Sequence, residues 1–175
     1  TGEEAYSLAI LVCEALSQRG RSLTSLNLEI LGTDLNVLSL SRAKTAIYGP
    51  WSFRDCDPLR RSRYFQTVSG GEQPQAIIRS LVKFQPFNLV TDSVEKLGKF
   101  DLILCRNVFI YFEPAAIAAT LAKFWQAISA TGYLVTGHAE LLGQTLEHWT
   151  THNFAQTSVY QPRLRSIADF ESDHP

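Results

Sequence analysis

The stretch Phe100–Cys105 (FDLILC) constrains the fold more than any other part of the chain. Its dense apolar composition suits a strand of a parallel sheet covered on both faces. Arg106 and Asn107 follow at once, and then Pro114, which fits the first turn of a helix. Ile117, Leu121, Phe124 and Ile128 recur at helical spacing, Thr131-Gly132 breaks the pattern, and residues 133–137 (YLVTG) read as the next strand. A strand, a helix and a second strand in succession point to a βαβ arrangement.

The upstream half repeats this alternation. Thr1-Gly2-Glu3-Glu4 matches a capping box, with Thr1 at the N-cap. Ala5, Leu8, Ala9, Val12, Ala15 and Leu16 then give an amphipathic helix over about residues 2–19, stopped by Gly20. Residues 28–34 read as a short buried strand ending in Asp34, and Asn36 is placed to cap a helix from Val37 to about Thr45. Further strands are expected at 82–87 and 157–161. Residues 47–75 are irregular and read as a surface subregion, because Trp51, Phe53, Tyr64 and Phe65 need somewhere to pack. Helices alternating with short apolar strands indicate an α/β fold with a mainly parallel sheet.

Bulk composition excludes several classes. With 175 residues, 45% of them hydrophobic and 19% charged, the chain suits one globular domain. A net charge of −1 gives no reason to expect nucleic acid or an anionic membrane surface. The cysteines, Cys13, Cys56 and Cys105, are odd in number, widely spaced and form no CxxC pair, which fits a reducing cytosol better than a disulfide framework or a zinc site. The scattered histidines suggest no metal. No apolar run long enough to span a bilayer occurs, and no signal peptide is visible.

In open α/β sheets, ligands bind outside the carboxyl ends of the strands. Asp34, Asn88-Leu89 and Arg106-Asn107 all fall there, and the first helix presents backbone N–H groups at its N-terminus. Together they would suit one elongated ligand with a carboxylate and a ribose, with Asp34 accepting from vicinal hydroxyls. Taken singly, each has a plainer reading: Asp34 as turn former or cap, Asn88 as loop closure, Glu3 and Glu4 as helix stabilisers. A dinucleotide oxidoreductase would use a similar acid, although no GxGxxG turn occurs in these residues. His138 and Glu140 could relay a proton or simply shape the loop after YLVTG, the second reading being favoured. Arg54, Arg60, Arg61 and Arg63, partly offset by Asp55 and Asp57, form either a solvated face or a surface for an acidic partner.

The segments TGEEAYSLAI, LGTDLNVLSLSRAKTAIYG, RYF, VKFQPFNL, FDLILCRNVFIYF and GYLVTGHAELL, in this order, closely resemble the CheR-type chemotaxis receptor methyltransferases from Thr1 to about Tyr160. The resemblance implies a Rossmann-like class I methyltransferase fold over residues 1–163, with a small β-rich subdomain inserted at about 47–80 and a polar tail at 164–175. It implies S-adenosylmethionine as cofactor and S-adenosylhomocysteine as product. It carries cofactor contacts to Glu3, Asp34, Asn88, Leu89, Arg106 and Asn107, and it places Tyr111 near the transferred methyl group. The implied activity is methyl esterification of glutamate side chains on the cytoplasmic region of methyl-accepting chemotaxis receptors, in the cytoplasm, with no nucleic acid and no membrane insertion. A signalling module that binds the cofactor without methyl transfer is the alternative.

Departures from the family pattern also matter. Ala5 stands where the family has proline. The family's helical domain, its central first strand and its substrate-steering arginine would lie upstream of Thr1. The chain is therefore expected to be a cut from a longer protein, lacking the first strand and leaving two open strand edges. The short span between Tyr64-Phe65 and Val82 resembles members that do not dock on a receptor-tail pentapeptide, and WSFR resembles members associated with other signalling modules. A glutamate carboxylate is already ionised at neutral pH, so the implied reaction needs no general base.

Overall fold

The computed structural model describes residues 1–23, 26–137, 139–154 and 157–163. The chain forms two compact units, residues 1–88 and 89–175, and each has its own core.

In the first unit, helix α1 (Glu3–Gln18) buries Tyr6, Ala9, Ile10 and Leu16. The expected capping box is not formed. The N-cap is Gly2, which has φ 99° and supplies no side-chain cap, and the Thr1 hydroxyl donates instead to Glu3 Oε2 at 2.5 Å. Thr1 stands one residue too early to reach the helix amides. The C-terminal stop is as expected: Gly20 adopts φ 63°, Gly20 N–H donates to Ser17 O and Arg21 N–H to Leu16 O, which satisfies two terminal carbonyls. Strand β1 (Ile30–Asp34) leads to helix α2 (Val37–Thr45), whose cap is Asn36, its Oδ1 accepting from Leu38 N–H at 2.9 Å and Ser39 N–H at 3.3 Å. A 3-10 turn (Pro50–Phe53) and helix α3 (Pro58–Tyr64) precede the antiparallel hairpin β2 (Phe65–Val68) and β3 (Gly71–Pro74). Helix α4 (Ala76–Arg79) then leads into β4 (Val82–Pro86), which pairs parallel with β1 and sets Asp34 opposite Pro86. The Tyr6 ring packs edge-on against Phe84 and Tyr48, and its hydroxyl donates to Ala43 O, tying α1 to α2.

In the second unit, a 3-10 turn (Val94–Leu97) precedes β5 (Phe100–Cys105), which is followed by a 3-10 turn (Phe109–Tyr111), helix α5 (Pro114–Ala127), β6 (Ile128–Thr136), β7 (Trp149–Phe154) and β8 (Thr157–Pro162). The sheet order is β5-β6-β8-β7, with β5 and β6 parallel and the other two pairs antiparallel. The core gathers Phe109, Leu121, Phe124, Leu134, Trp149 and Tyr160. Among the described residues β1 pairs only with β4 and β5 only with β6, so each has an open edge, as the family resemblance led us to expect.

Two expectations are corrected, and one strand was not expected. Ile128 is not on α5: it is the C-cap residue with extended φ and ψ, and it pairs with Phe100 at the start of β6. Being buried either way, it satisfies the helical spacing without being helical. β5 is not covered on both faces, since Asp101 is exposed and Leu102 stays 38% exposed on a strand with one pairing partner. Strand β7 gave no sequence signal because it is an edge strand on which only Trp149 is buried.

Two arginines of the basic cluster link separate elements of the first unit. Arg60 makes a bidentate pair with Glu14 of α1, and Arg61 grips Glu72 of β3 and lies over the Phe53 ring. Hydrogen bonds from Arg60 and Arg61 hold the Glu14 and Glu72 carboxyls below their ordinary values. A carboxyl depressed in the folded state stabilises above its unfolded value, about pH 4.3, and that stabilisation is lost as the pH falls through the folded value. In thermal melts across acid pH, a Glu14→Gln/Glu72→Gln protein is expected to lose stability less steeply below about pH 4.3 than the parent. Equal slopes would mean that the two pairs contribute nothing.

Candidate functional site

The sequence-derived site residues divide between the two units. In the first, Asp34 ends β1 and is exposed. Its Oδ1 accepts from Asn36 N–H at 2.8 Å, and Asn36 in turn caps α2, so the strand end, the acid and the helix start are locked in sequence. Among the described residues, Oδ2 has no partner. Glu3 is also exposed, in the first turn of α1. Burial raises its carboxyl, but hydrogen bonds led by that from the Thr1 hydroxyl outweigh this and hold it below its ordinary value. Asn88 closes this unit, half-buried two residues past β4.

In the second unit, residues 106–111 form one loop at the carboxyl end of β5. Asn107 adopts φ 57°, a left-handed conformation that asparagine tolerates at a cost of about 1 kcal/mol. Phe109, 2% exposed, packs against Phe112 and Phe124. Burying such a ring contributes roughly 1.5–3 kcal/mol, more than the backbone strain, so the loop is held in shape. With Phe109 buried, Tyr111 on the same 3-10 turn stands 82% exposed. Arg106 and Asn107 are exposed, and Leu89 packs against the unit's core.

Across the parallel ladder from Cys105 lies Thr136, followed by the turn at Gly137. Gly137 N–H donates to Glu140 Oε2 at 2.6 Å, and Glu140 N–H returns to Gly137 O at 3.4 Å. A Cβ on residue 137 would lie 2.6 Å from that same carboxylate oxygen, so any larger residue there makes the Glu140 carboxylate move away from the Gly137 N–H. Glu140 therefore closes the loop, as the plainer sequence reading had it. His138 lies outside the described residues. Among those described, no group of His, Cys, Asp and Glu could hold a metal ion, and no helix is long and apolar enough to cross a membrane.

A cavity of about 630 Å³ in the second unit, lined by Lys99, Trp125, Ile128 and Arg163 among others, opens at the starting ends of β5 and β6. It is thus at the opposite end of these strands from residues 106–111. Sequence reasoning missed Lys123, whose ammonium donates to Leu89 O, Val90 O and Asp92 O. A lone lysine on an amphipathic helix carries no signal that would reveal it.

The family model described as CheR methyltransferase, SAM binding domain, matches residues 1–159. The chain belongs to the CheR methyltransferase family. A chemotaxis protein methyltransferase of Klebsiella aerogenes is 34% identical over 148 residues, covering 82% of this chain and 49% of that protein. One from Pseudomonas putida is 31% identical over 165 residues, covering 93% of this chain and 59% of that protein. The chain thus spans about half the length of such relatives. Among solved structures, an rRNA methyltransferase from Streptomyces viridochromogenes aligns over 99% of this chain and 76% of its own at 14% identity, with a TM-score of 0.49.

The CheR residues present here fit S-adenosylmethionine by the chemistry of the donor set. The cofactor has an ammonium and a ribose diol that need acceptors, and Glu3 and Asp34 are exposed carboxylates at the ends of α1 and β1. Asp34 keeps Oδ2 available while Oδ1 holds its own loop.

The Gly137–Glu140 closure makes a separate prediction. Gly137→Ala is expected to destabilise the protein by about 1–3 kcal/mol, the worth of the charge-assisted hydrogen bond that the Glu140 carboxylate gives up as it moves. Combining it with Glu140→Ala should recover part of that loss in a thermal melt. Equal melting temperatures for Gly137→Ala and the parent would refute the closure.

Proposed function

We propose that the protein carrying this chain transfers a methyl group from S-adenosylmethionine to glutamate side-chain carboxylates in the cytoplasmic region of chemoreceptors. The product would be a glutamate methyl ester, and the work would be done in the cytoplasm. The observation that carries this reading is the family match over residues 1–159, which includes every residue assigned here to the cofactor. The curated relatives named chemotaxis protein methyltransferase support the receptor as substrate.

The cofactor's contribution when bound is an electrophilic methyl on a sulfonium. The chain's own residues bind and orient. Asp34 accepts from the ribose hydroxyls, and Glu3 offers a carboxylate at the first turn of α1. Asn88-Leu89 and Arg106-Asn107 supply the remaining cofactor contacts. Tyr111, held out by its buried neighbour Phe109, lines the approach of the acceptor glutamate. That glutamate is ionised at neutral pH, so no residue has to remove a proton. Catalysis then rests on orientation and exclusion of water. Residues 47–80, with α3 and the β2–β3 hairpin, form the inserted subdomain, and the described sheets lack the family's first strand.

The direct test is to supply methyl-labelled S-adenosylmethionine and receptor-bearing membranes, and to count methanol released under mild base. Base-labile label on a receptor is expected. Binding of S-adenosylhomocysteine with no label on any receptor source would favour a cofactor-sensing module instead. Tyr111→Phe is expected to lower kcat roughly ten-fold, the worth of one hydrogen bond, with the affinity for S-adenosylhomocysteine unchanged. Full turnover in that variant would exclude a role for the hydroxyl.

A further inference from the structure

Lys123 lies on α5 and is half-buried. Its ammonium donates to Leu89 O at 2.9 Å, Val90 O at 2.8 Å and Asp92 O at 2.9 Å. An ammonium has three N–H donors, and here all of them go to main-chain carbonyls of one four-residue stretch. Residues 89–92 form a turn outside any helix or strand, and the ammonium joins three of its carbonyls to α5. The stretch begins with Leu89.

We propose that Lys123 is a positioning residue for the cofactor: by fixing the backbone of residues 89–92 it sets the affinity for S-adenosylmethionine and S-adenosylhomocysteine without entering the methyl-transfer step. The proposal rests on the assignment of Leu89 to the cofactor. A segment already ordered before binding does not have to be ordered by the ligand, and affinity rises accordingly. Losing the ammonium frees three carbonyls, two of them belonging to solvent-exposed residues that water can satisfy, so the consequence falls on local order more than on global stability.

The test compares the unaltered protein with Lys123→Met and Lys123→Gln. The readouts are S-adenosylhomocysteine affinity by calorimetry, amide exchange of residues 89–92, melting temperature, and kcat at saturating cofactor. Lys123→Met is expected to weaken S-adenosylhomocysteine binding roughly ten-fold, the size of a lost charge-assisted hydrogen bond. Exchange should quicken in residues 89–92, with kcat near the parent value and the melting temperature shifted by a few degrees at most. Lys123→Gln, which keeps an amide donor and most of the stem, should fall between the two. If Lys123→Met does not fold, Lys123→Gln makes the same comparison alone. Parental affinity in either folded variant overturns the proposal, as does exchange that quickens uniformly along the chain with a large drop in melting temperature. Failure of the unaltered protein to bind S-adenosylhomocysteine would show, before any variant is made, that the cofactor assignment itself is wrong.

Discussion

Parallel pairing is the constraint on which the rest depends. When two strands run in the same direction, their carboxyl ends finish together, and whatever residues follow are delivered to one edge. In the first unit the register of β1 against β4 sets Asp34 level with Pro86, two residues before Asn88. In the second, β5 against β6 sets Cys105 level with Thr136, so Arg106-Asn107 and the Gly137 turn leave the sheet side by side. A one-residue slip in either ladder would turn the inward-facing residues outward, and burial of Ile30, Val82, Cys105 and Leu134 opposes it. The positions of the polar residues are therefore fixed by apolar packing several residues away.

Each polar residue is then held by a second, local device. Asp34 is steadied through Asn36, which accepts from the helix amides while its own N–H goes to Asp34. Tyr111 is exposed because Phe109 is not, the two lying on one short turn with a single buried anchor. Glu140 closes its loop on Gly137. The arginines of α3 belong to this class as well. A cluster that could have been an acidic-partner surface is in part internal framework, with Arg60 and Arg61 turned onto Glu14 and Glu72 and Arg63 laid over the Tyr64 ring.

Legibility in the sequence followed how local each signal was. The Asn36 cap, the Gly20 stop, the bounds of α2 and the six residues of β5 rest on spacing within a few positions, and they were read correctly. Misreadings arose where a distant partner decides. Ile128 has helical spacing, but pairing with Phe100 takes it into a strand. β7 forms because β8 offers it an edge, with almost no burial to leave an apolar pattern. Thr1 has the composition of a cap but not the position. Lys123 acts on carbonyls more than 30 residues away, and carbonyls have no letter in a sequence. Apart from Glu3 at a helix start, the candidate cofactor residues were legible only as strand ends, and the resemblance of the surrounding motifs did the rest.

These devices take on meaning from the chemistry proposed. A reaction whose nucleophile is already an anion at neutral pH asks nothing of a general base, and the described loops at the carboxyl ends of β5 and β6 hold no base that the proposed reaction requires. What such a site must supply is geometry, where a misplacement of about 1 Å can cost on the order of 100-fold. Asn36, Phe109 and Lys123 touch no reacting atom on this reading, yet each fixes a backbone segment that carries a residue assigned to the cofactor or the acceptor. In a site without acid–base work, the residues that hold others in place carry a larger share of the function than their distance from the chemistry suggests.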